Sequence, residues 1–264
     1  MSIFLCSLFS GSGGNCFLVG DDEAKFLVDA GVSARRIECA LGGVGLSLDD
    51  ISAIFITHEH IDHVKGLEIT EKRHHIPVYM TEGTARAFIF DANLPILPNL
   101  YAYRGNFTVE LGGFTVRSFT VPHDAAQPVG YVFEKDGDRV GVATDTGCVT
   151  DEMIENLVGC RAAVIEANHD VTALRMGPYP PYLKERIASD RGHLSNASAA
   201  RLAKLLVDGG AESLMLGHIS KENNAPSLAL EEVSAAVGDG VQIVAAAPNT
   251  TTELKKFVKI IDIS

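Results

Sequence analysis

Three histidines and one aspartate occur within six consecutive residues of this 264-residue chain, in the segment THEHIDH at residues 57–63. The segment follows an apolar stretch that predicts a buried strand and precedes a predicted helix. Side chains two residues apart in extended backbone point the same way, so His58 and His60 can bind one metal ion. Asp62 and His63, at the turn into the helix, can face a second ion. Polar groups this dense beside a buried strand are costly unless a metal satisfies them, so the spacing predicts a metal centre rather than solvated surface histidines.

The elements around this segment predict an α/β fold. Apolar and β-branched runs between turn residues predict strands at residues 3–9, 16–19, 25–29, 53–57, 78–80, 107–111, 114–121, 130–134, 140–144, 162–166, 213–216 and 241–244. Helical periodicity predicts helices at residues 34–41, 64–75, 82–90, 151–157, 183–189, 197–207 and 228–237. This order, repeated in two halves, favours two sheets sandwiched between helices. The sequence contains no fixed-period repeat or linker, so we expect a single domain over residues 1–264.

The composition restricts the class of protein. A chain of this length can bury a full core without a structural metal, so a metal site is expected to be catalytic. The net charge of −12, from 22 Lys+Arg against 34 Asp+Glu, argues against broad adhesion to DNA or to anionic membranes. Two divalent cations and a local basic patch can reverse the field inside one cleft. A nucleic-acid enzyme is therefore still compatible with the composition.

The cysteines and apolar runs predict a cytoplasmic location. The five cysteines form no CxxC pair, which is typical of free thiols in a reducing compartment; they are Cys6, Cys16, Cys39, Cys148 and Cys160. No apolar run reaches the roughly 20 residues of a membrane span, so no membrane partner is expected. The sequence does not indicate an oligomeric state.

The HxHxDH motif at residues 58–63 resembles the signature of the metallo-β-lactamase superfamily, which implies a four-layer αββα sandwich. The family pattern implies further ligands at strand ends, and His123, Asp145 and His218 each follow a predicted strand. By this resemblance, one metal is bound by His58, His60 and His123, the other by Asp62, His63 and His218, and both by the bridging Asp145. Asp29 resembles the superfamily aspartate that orients the histidine loop.

This ligand set implies two divalent metal ions. Histidine and carboxylate ligands suit Zn, Mn or Fe, and Zn is the first choice. Some relatives use a cysteine ligand near the position of Cys148. Because Asp145 already occupies the corresponding position, we expect Cys148 to lie in the core or beside the site.

Motifs later in the chain favour phosphodiesters over lactams, thioesters and lactones as substrates. The dinuclear set that includes His63 and Asp145 is typical of the phosphodiesterase and thioesterase branches of the superfamily. The strings DRGHLSN at 190–196 and GHIS at 217–220 resemble a motif pair of the tRNase Z group. There the earlier histidine pairs with a glutamate and protonates the leaving oxygen, which implies those roles for His193 and Glu166. The alternative for His193 is a histidine at a helix N-terminus.

Several further residues are candidates for substrate contacts. The Gly-rich turn SGSGGN at 10–15 offers backbone amides and the polar residues Ser10, Ser12 and Asn15 to a phosphate, although an ordinary hairpin turn has the same composition. His169 lies near the proposed site in the string EANHD, where it and Asp170 either serve the site or cap a helix. Lys221 is the basic residue proposed as a substrate contact, with Lys184, Arg186 and Arg191 as further phosphate contacts or solvated surface. The loop GPYPPY at 177–182 either stacks a terminal base or turns the chain.

Longer strings resemble one bacterial family over nearly the whole chain. SGSGGNC at 10–16, PHDAAQPVGY at 122–131, EANHD at 166–170, LRMGPYP at 174–180, DRGHLSN at 190–196 and GHISKENN at 217–224 are similar to the YycJ/WalJ metallo-hydrolases. That resemblance implies 5′-to-3′ exonuclease action on double-stranded DNA. The chain is too short for the large inserted domain of the β-CASP nucleases.

The functional prediction is a dinuclear phosphodiesterase, a nuclease that uses metal-bound hydroxide, with Asp62, His193 and Glu166 as catalytic residues. One alternative is a small-molecule hydrolase of the same fold that acts on cyclic phosphodiesters or thioesters. Another, from a different class, is a metal-binding scaffold that contacts partners without turnover.

Overall fold

The computed structural model describes residues 3–91 and 97–254, which form strands and helices along both halves of the chain. Its strands are β1 (Phe4–Phe9), β2 (Cys16–Gly20), β3 (Lys25–Val28), β4 (Ala53–Phe55), β5 (Val78–Thr81), β6 (Leu100–Tyr103), β7 (Thr108–Leu111), β8 (Phe114–Thr120), β9 (Val129–Lys135), β10 (Asp138–Ala143), β11 (Ala162–Glu166), β12 (Ser213–Gly217), β13 (Gln242–Ala245) and β14 (Thr252–Glu253). Its helices are α1 (Ala34–Gly43), α2 (Ile61–Val64), α3 (Leu67–His74), α4 (Glu82–Asp91), α5 (Asp151–Leu157), α6 (Val171–Met176), α7 (Pro181–Ile187), α8 (Asn196–Asp208) and α9 (Pro226–Val237), with a 3-10 turn at Leu48–Asp50.

The described strands form two mixed sheets of seven strands each. The first has the order β14-β1-β2-β3-β4-β5-β6, antiparallel as far as β3 and parallel from β3 to β6. The second has the order β13-β12-β11-β10-β9-β8-β7, parallel as far as β10 and antiparallel beyond it. The two halves of the chain therefore repeat one plan, as their similar element order predicts.

The inner faces of the sheets enclose an aromatic core. Phe26 from the first sheet lies 5.2 Å from Phe114 and 5.6 Å from Phe133 of the second, measured between ring centroids. The buried Tyr131 donates its hydroxyl hydrogen bond to the Ile56 carbonyl across the sheets, at 2.6 Å. Such contacts bury large apolar area and hold the two sheets at one mutual position.

Helices cover the outer face of each sheet. Ile37 and Leu41 of α1 pack with the outward side chains of the first sheet. Leu202 and Leu206 of α8 pack with those of the second sheet. The layers are thus helix, sheet, sheet and helix, and the predicted αββα sandwich is confirmed. That residues 1–264 form a single domain stays a prediction.

The parallel strands explain where the polar residues gather. The carboxyl ends of parallel neighbours meet at one edge of a sheet, where ligand sites of open α/β sheets lie. Val28 of β3 pairs with Phe55 of β4, and Glu166 of β11 pairs with Gly217 of β12. The residues that follow β3, β4, β12 and β10, the parallel neighbour of β11, include Asp29, His58, His218 and Asp145.

Some boundaries differ from the sequence prediction. The helix predicted at 64–75 is divided into α2 and α3, because Gly66 N donates to Ala30 O at 2.8 Å and its Cα approaches the neighbouring loop. A Cβ at Gly66 would lie 2.2 Å from Val32 O, so only glycine permits this approach. The strand predicted to include Asp29 ends at Val28, where the backbone turns into the left-handed region. The short elements α2, β6 and β14 were not predicted, and α6 was expected only as the helix that Asp170 could cap.

The expectation that no segment spans a membrane can be compared with the described helices. Within residues 3–91 and 97–254, none combines the length and apolar character that crossing a membrane requires.

Candidate metal centre

The seven predicted ligands meet at the strand ends of both sheets. Their ligand atoms form overlapping groups, within each of which all atoms lie within 4.8 Å of one another. The groups are His58, His60 and His123; Asp62, His63 and His218; His58, His63 and Asp145; and Asp145, Glu166, His193 and His218. Residues from distant parts of the chain therefore share one cluster.

The first group contains three imidazoles with converging nitrogen atoms. Nδ1 of His60 lies 3.1 Å from Nε2 of His58 and 3.3 Å from Nε2 of His123. Two nitrogen ligands of a tetrahedral zinc ion are separated by about 3.3 Å, given Zn–N distances of about 2.0–2.1 Å. His58 and His123 are buried and His60 is partly exposed, so the group opens toward solvent on one side.

The second group lies beside the first, and Asp145 contacts both. Oδ2 of Asp62 lies 3.7 Å from Nε2 of His63 and 3.7 Å from Nε2 of His218. Oδ2 of Asp145 lies 3.2 Å from Nε2 of His63, whereas Oδ1 lies 3.9 Å from Nε2 of His123. One carboxylate thus presents its two oxygens to two histidine groups, the position predicted for a bridging ligand.

Two buried polar atoms of this cluster support the binding of a cation. Oδ2 of Asp145 and Nε2 of His218 are buried and form no hydrogen bond with any residue that the structure describes. An unsatisfied buried polar atom costs about 1–3 kcal/mol, and native proteins contain few of them. The nitrogen and oxygen donors suit a borderline divalent ion, so the residues present fit the divalent metal that the fold family implies.

Asp29 forms hydrogen bonds with the histidine segment at residues 57–63. Its Oδ1 accepts a hydrogen bond from Thr57 N at 2.8 Å, and its Oδ2 lies 2.7 Å from Nδ1 of His63. Nδ1 of His63 therefore donates to Asp29, which leaves Nε2 directed into the cluster. Burial raises the pKa of Asp29, although His63 and Thr57 act in the opposite direction.

His123 is oriented by main-chain groups in the same way. Nδ1 of His123 donates to the Gly192 carbonyl at 3.0 Å, so Nε2 faces the cluster. Arg191 donates from Nη2 to the carbonyl of His123 at 3.0 Å. The segment that contains His193 is thereby attached to the predicted ligand His123.

Three residues of the site adopt backbone conformations that are unusual for their type. Asp29, Asp145 and His218 have φ values of 66°, 57° and 52°, in the left-handed region. Such conformations cost of the order of 1–3 kcal/mol and gather at functional sites. Asp29 and His218 directly follow a strand, and Asp145 lies two residues after the end of β10. The change of direction turns each side chain away from the sheet and toward the cluster.

Neighbouring side chains stabilise this conformation at His218. Ser10 Oγ accepts a hydrogen bond from His218 N at 2.8 Å, and Asn168 Nδ2 donates to His218 O at 2.9 Å. Both main-chain polar groups of His218 are therefore bonded to side chains.

Glu166 connects His193 to the ligand cluster. It is fully buried, and its Oε1 lies 2.8 Å from Nδ1 of His193 and 2.8 Å from Nδ1 of His218. Its Oε2 accepts hydrogen bonds from Thr146 N at 2.9 Å and Leu194 N at 3.1 Å. Burial would raise the pKa of Glu166, but the two histidines outweigh it and lower the pKa to about 2.

Two cavities meet at His193. The small cavity, of about 240 Å³, is lined by residues that include Ser12, Asp124, Tyr179, Arg186, His193 and Ser220. The large cavity, of about 600 Å³, lies against His193 and is bordered by residues of α6 and α8. The His193 side chain is 19% exposed, so it can be reached by a ligand while its Nδ1 stays paired with Glu166.

The predicted substrate contacts have different surroundings. Ser10 and Asn15 are buried, and Nδ2 of Asn15 lies 3.1 Å from Nε2 of His63, so both side chains contact ligand histidines. Ser12 is exposed and lines the small cavity. His169 is buried and lines the large cavity, and Lys221 is exposed on the loop after His218.

The other polar residues named from the sequence have structural contacts. Asp170 caps α6 by accepting a hydrogen bond from Ala173 N at 2.7 Å. Lys184 donates to the Arg175 carbonyl at 2.8 Å, and Arg186 pairs with Asp124. Cys148 is partly exposed and lines the large cavity.

Sequence reasoning missed several residues of the site. Thr57 contacts Asp29, and Asp124 places its Oδ1 3.3 Å from Nε2 of His123. Both are adjacent to predicted ligands, in THEHIDH and PHD, which is a signal that sequence reasoning could have used. Gly31 had no such signal, yet a Cβ there would lie 1.6 Å from Asp62 O. Its contribution depends on contact between the loop after β3 and α2.

Comparisons with known proteins identify relatives of the whole chain. Residues 24–219 match the Beta-lactamase superfamily domain. The chain is 38% identical over 263 residues to Exodeoxyribonuclease YycJ of Bacillus anthracis, covering 97% of this chain and 99% of that protein. It is 36% identical over 259 residues to Exodeoxyribonuclease WalJ of Streptococcus pneumoniae, covering 95% of this chain and 96% of that protein.

Solved structures resemble the fold across nearly its whole length. The metallo-β-lactamase fold protein YhfI from Bacillus subtilis matches with a TM-score of 0.73 at 15% identity, covering 96% of this chain and all of that one. The short form of human tRNase Z matches with a TM-score of 0.67 at 16% identity, covering 94% of this chain and 98% of that one. At these identities the likeness concerns the fold.

Proposed function

Because the chain belongs to the YycJ/WalJ family of the metallo-β-lactamase superfamily, we propose that it is a metal-dependent exodeoxyribonuclease. Its substrate is a phosphodiester bond of double-stranded DNA, attacked from the 5′ end. The observation that carries the proposal is the Glu166–His193 pair, beside a cluster of histidine and carboxylate side chains that could hold metal ions. An alkoxide leaving group needs a proton donor, whereas the far less basic thiolate of a thioester can leave without one.

Two divalent ions are proposed, with Zn as the first choice and Mn or Fe as alternatives. The proposed ligands are His58, His60 and His123 for one ion, Asp62, His63 and His218 for the other, and Asp145 for both. When bound, such a pair of ions lowers the pKa of water and stabilises charge on the phosphate oxygens.

The proposed roles of the side chains follow from their contacts. Glu166 accepts the hydrogen bond of Nδ1–H of His193, and this orients the ring so that Nε2 can donate a proton to the leaving oxygen. Asp62 has 23% side-chain exposure against 3% for Asp145, so it is the ligand carboxylate open to substrate and is proposed to orient the attacking water. Asp29 keeps Nε2 of His63 available to metal.

Substrate contacts are proposed at the rim of the small cavity. Ser12 is exposed there, and Lys221 is exposed on the loop after His218. Both can donate hydrogen bonds to phosphate oxygens, which position a nucleic-acid strand without reading its sequence. With a net charge of −12, such local contacts must supply the attraction to DNA.

The free cysteines support the proposal of a cytoplasmic location. All five thiols are unpaired in the structure. We propose that the protein acts in the cytoplasm, where thiols stay reduced.

A nuclease panel tests the proposed function. End-labelled single-stranded and duplex DNA and RNA, with free or phosphorylated 5′ ends, are incubated with the protein loaded with Zn or with Mn. The expected result is stepwise shortening of duplex DNA from its 5′ end. Cleavage of bis(p-nitrophenyl) phosphate with no action on any nucleic acid would instead identify a small-molecule hydrolase.

A further inference from the structure

The large cavity carries features that the proposed chemistry of the metal cluster does not use. Its volume of about 600 Å³ is within the usual range for small-molecule sites, roughly 300–1,000 Å³. His193 borders both cavities, so an occupant of the large cavity lies next to the proposed proton donor.

The charged residues of this cavity favour an anion. Arg175 of α6 and Arg201 of α8 line it, and neither guanidinium forms an ion pair with a carboxylate that the structure describes. Arg201 donates from Nη2 to Ser198 Oγ at 2.9 Å, which holds it near the first turn of α8. Asp190 is the one carboxylate among the described lining residues, so positive charge prevails there.

A buried nitrogen gives independent evidence for a polar occupant. His169 lines the cavity and is 3% exposed, and its Nδ1 is buried without a hydrogen-bond partner among the described residues. Leaving a buried donor or acceptor unpaired costs about 1–3 kcal/mol. A phosphate oxygen in the cavity would satisfy this nitrogen when it carries its proton.

The remaining wall of the cavity is apolar. Val171 and Leu174 of α6 face the cavity from one helix, and Leu202 and Leu205 of α8 from another. Leu205 is 42% exposed, an unusual position for leucine unless something covers it. A ligand that combines an anion with a flat apolar ring would use both walls.

We propose that the large cavity binds the terminal nucleotide of the DNA strand. Arg175, Arg201 and His169 bind its 5′-phosphate, and the base packs over the leucines of α8. This inference rests on the proposed function, because the strand must reach the cavity while its scissile bond lies at the metal cluster on the other side of His193. A 5′-terminal phosphate is a feature that distinguishes a strand end from internal DNA, so the site would select ends.

Calorimetric titration of the metal-loaded protein tests the proposal. The ligands are deoxyadenosine 5′-monophosphate and deoxyadenosine, which differ only in the phosphate. The variant is the double substitution Arg175→Ala with Arg201→Ala, and the matched control is Arg35→Ala, an exposed arginine of α1 on the opposite outer layer. All three arginines are exposed, so none of these substitutions alters the core.

The wild type and the control are expected to bind the nucleotide at least about tenfold more tightly than the nucleoside, and the double variant is expected to lose that preference. If the double variant keeps the full preference, the phosphate binds elsewhere, at the metals, and the proposal is overturned. DNA hydrolysis by the wild type together with that result would leave the proposed function standing. Loss of the preference in the double variant without hydrolysis of any DNA would instead retain the nucleotide site and overturn the proposed function.

Discussion

The Oε1 atom of Glu166 lies 2.8 Å from Nδ1 of His193. The same oxygen lies 2.8 Å from Nδ1 of the proposed ligand His218, and the other oxygen is bonded to two main-chain N–H groups. One buried carboxylate therefore sets the orientation of His193 and connects it to the metal cluster. This arrangement makes His193 the residue whose removal best separates proton donation from metal binding.

Replacement of His193 by alanine is expected to lower turnover on DNA by a factor of about 10² to 10⁴, the usual contribution of a general acid. Metal content should stay at the wild-type level, because His193 is not among the proposed ligands. Initial rates and elemental analysis of the purified protein measure the two quantities. His75→Asn, at an exposed histidine after α3, is the control. Unchanged turnover in His193→Ala would refute the proton-donor role.

Asp29→Asn is expected to weaken metal binding about 10- to 100-fold, because the carboxylate that accepts from Thr57 N and Nδ1 of His63 loses its charge. Asparagine tolerates the left-handed backbone at this position, so the chain path is kept. Competition with a chromogenic chelator measures the affinity. The exposed Asp22→Asn provides the control, and equal affinities in both variants would contradict the orienting role.

Gly31→Ala is expected to lower the free energy of unfolding by about 1–3 kcal/mol or more, because the new Cβ would lie 1.6 Å from Asp62 O and 2.6 Å from Asn15 N. Asp62 lies in α2 and Asn15 in the turn before β2, both at the site, so metal binding should weaken as well. Gly42→Ala in α1 meets nothing within 4 Å and is expected to stabilise the protein by about 0.5 kcal/mol. Urea denaturation measures both changes, and equal stabilities of the two variants would exclude the close approach of Gly31 to α2.

Ser10→Ala and Ser12→Ala are expected to have different effects. Ser10 Oγ accepts from His218 N, so its loss leaves a buried donor unpaired and should weaken metal binding. Ser12 is exposed at the small cavity, so its loss should raise KM for DNA and leave metal affinity unchanged. Chelator competition and steady-state kinetics on both variants measure these effects. A rise in KM alone for Ser10→Ala would show that this serine contacts substrate.

Removal of metal by a chelator is expected to abolish hydrolysis and to lower the melting temperature, because the ions bind the folded state. Ions at 100 times their Kd contribute about 2.7 kcal/mol for each site. Readdition should restore activity at two equivalents per chain, with Zn and Mn compared as the restoring ion. Asp145→Ala should bind fewer ions, because Asp145 contacts both histidine groups. Full recovery at one equivalent would contradict a dinuclear site.

The sequence by itself predicted most of the elements and the ligand candidates. The HxHxDH spacing and the polar residues after apolar strands depend on neighbours within a few positions, and such patterns can be recognised without coordinates. Family resemblance then grouped His58, His60 and His123 apart from Asp62, His63 and His218, and the described structure brings each group together. Family resemblance likewise paired Glu166 with His193. In the structure these two side chains lie within hydrogen-bond distance.

Only the tertiary structure decided which polar residues support the ligands and which face a cavity. Ser10 and His218 are 208 positions apart, and Glu166 and His218 are 52 apart, so no local pattern carries those contacts. The Gly-rich turn that suggested a phosphate cradle instead directs Ser10 and Asn15 toward histidines, while the large cavity forms where α6 and α8 meet. The physical reason is that burial and hydrogen-bond partners are set by how the two sheets and their helices pack, and that packing joins segments far apart in the chain.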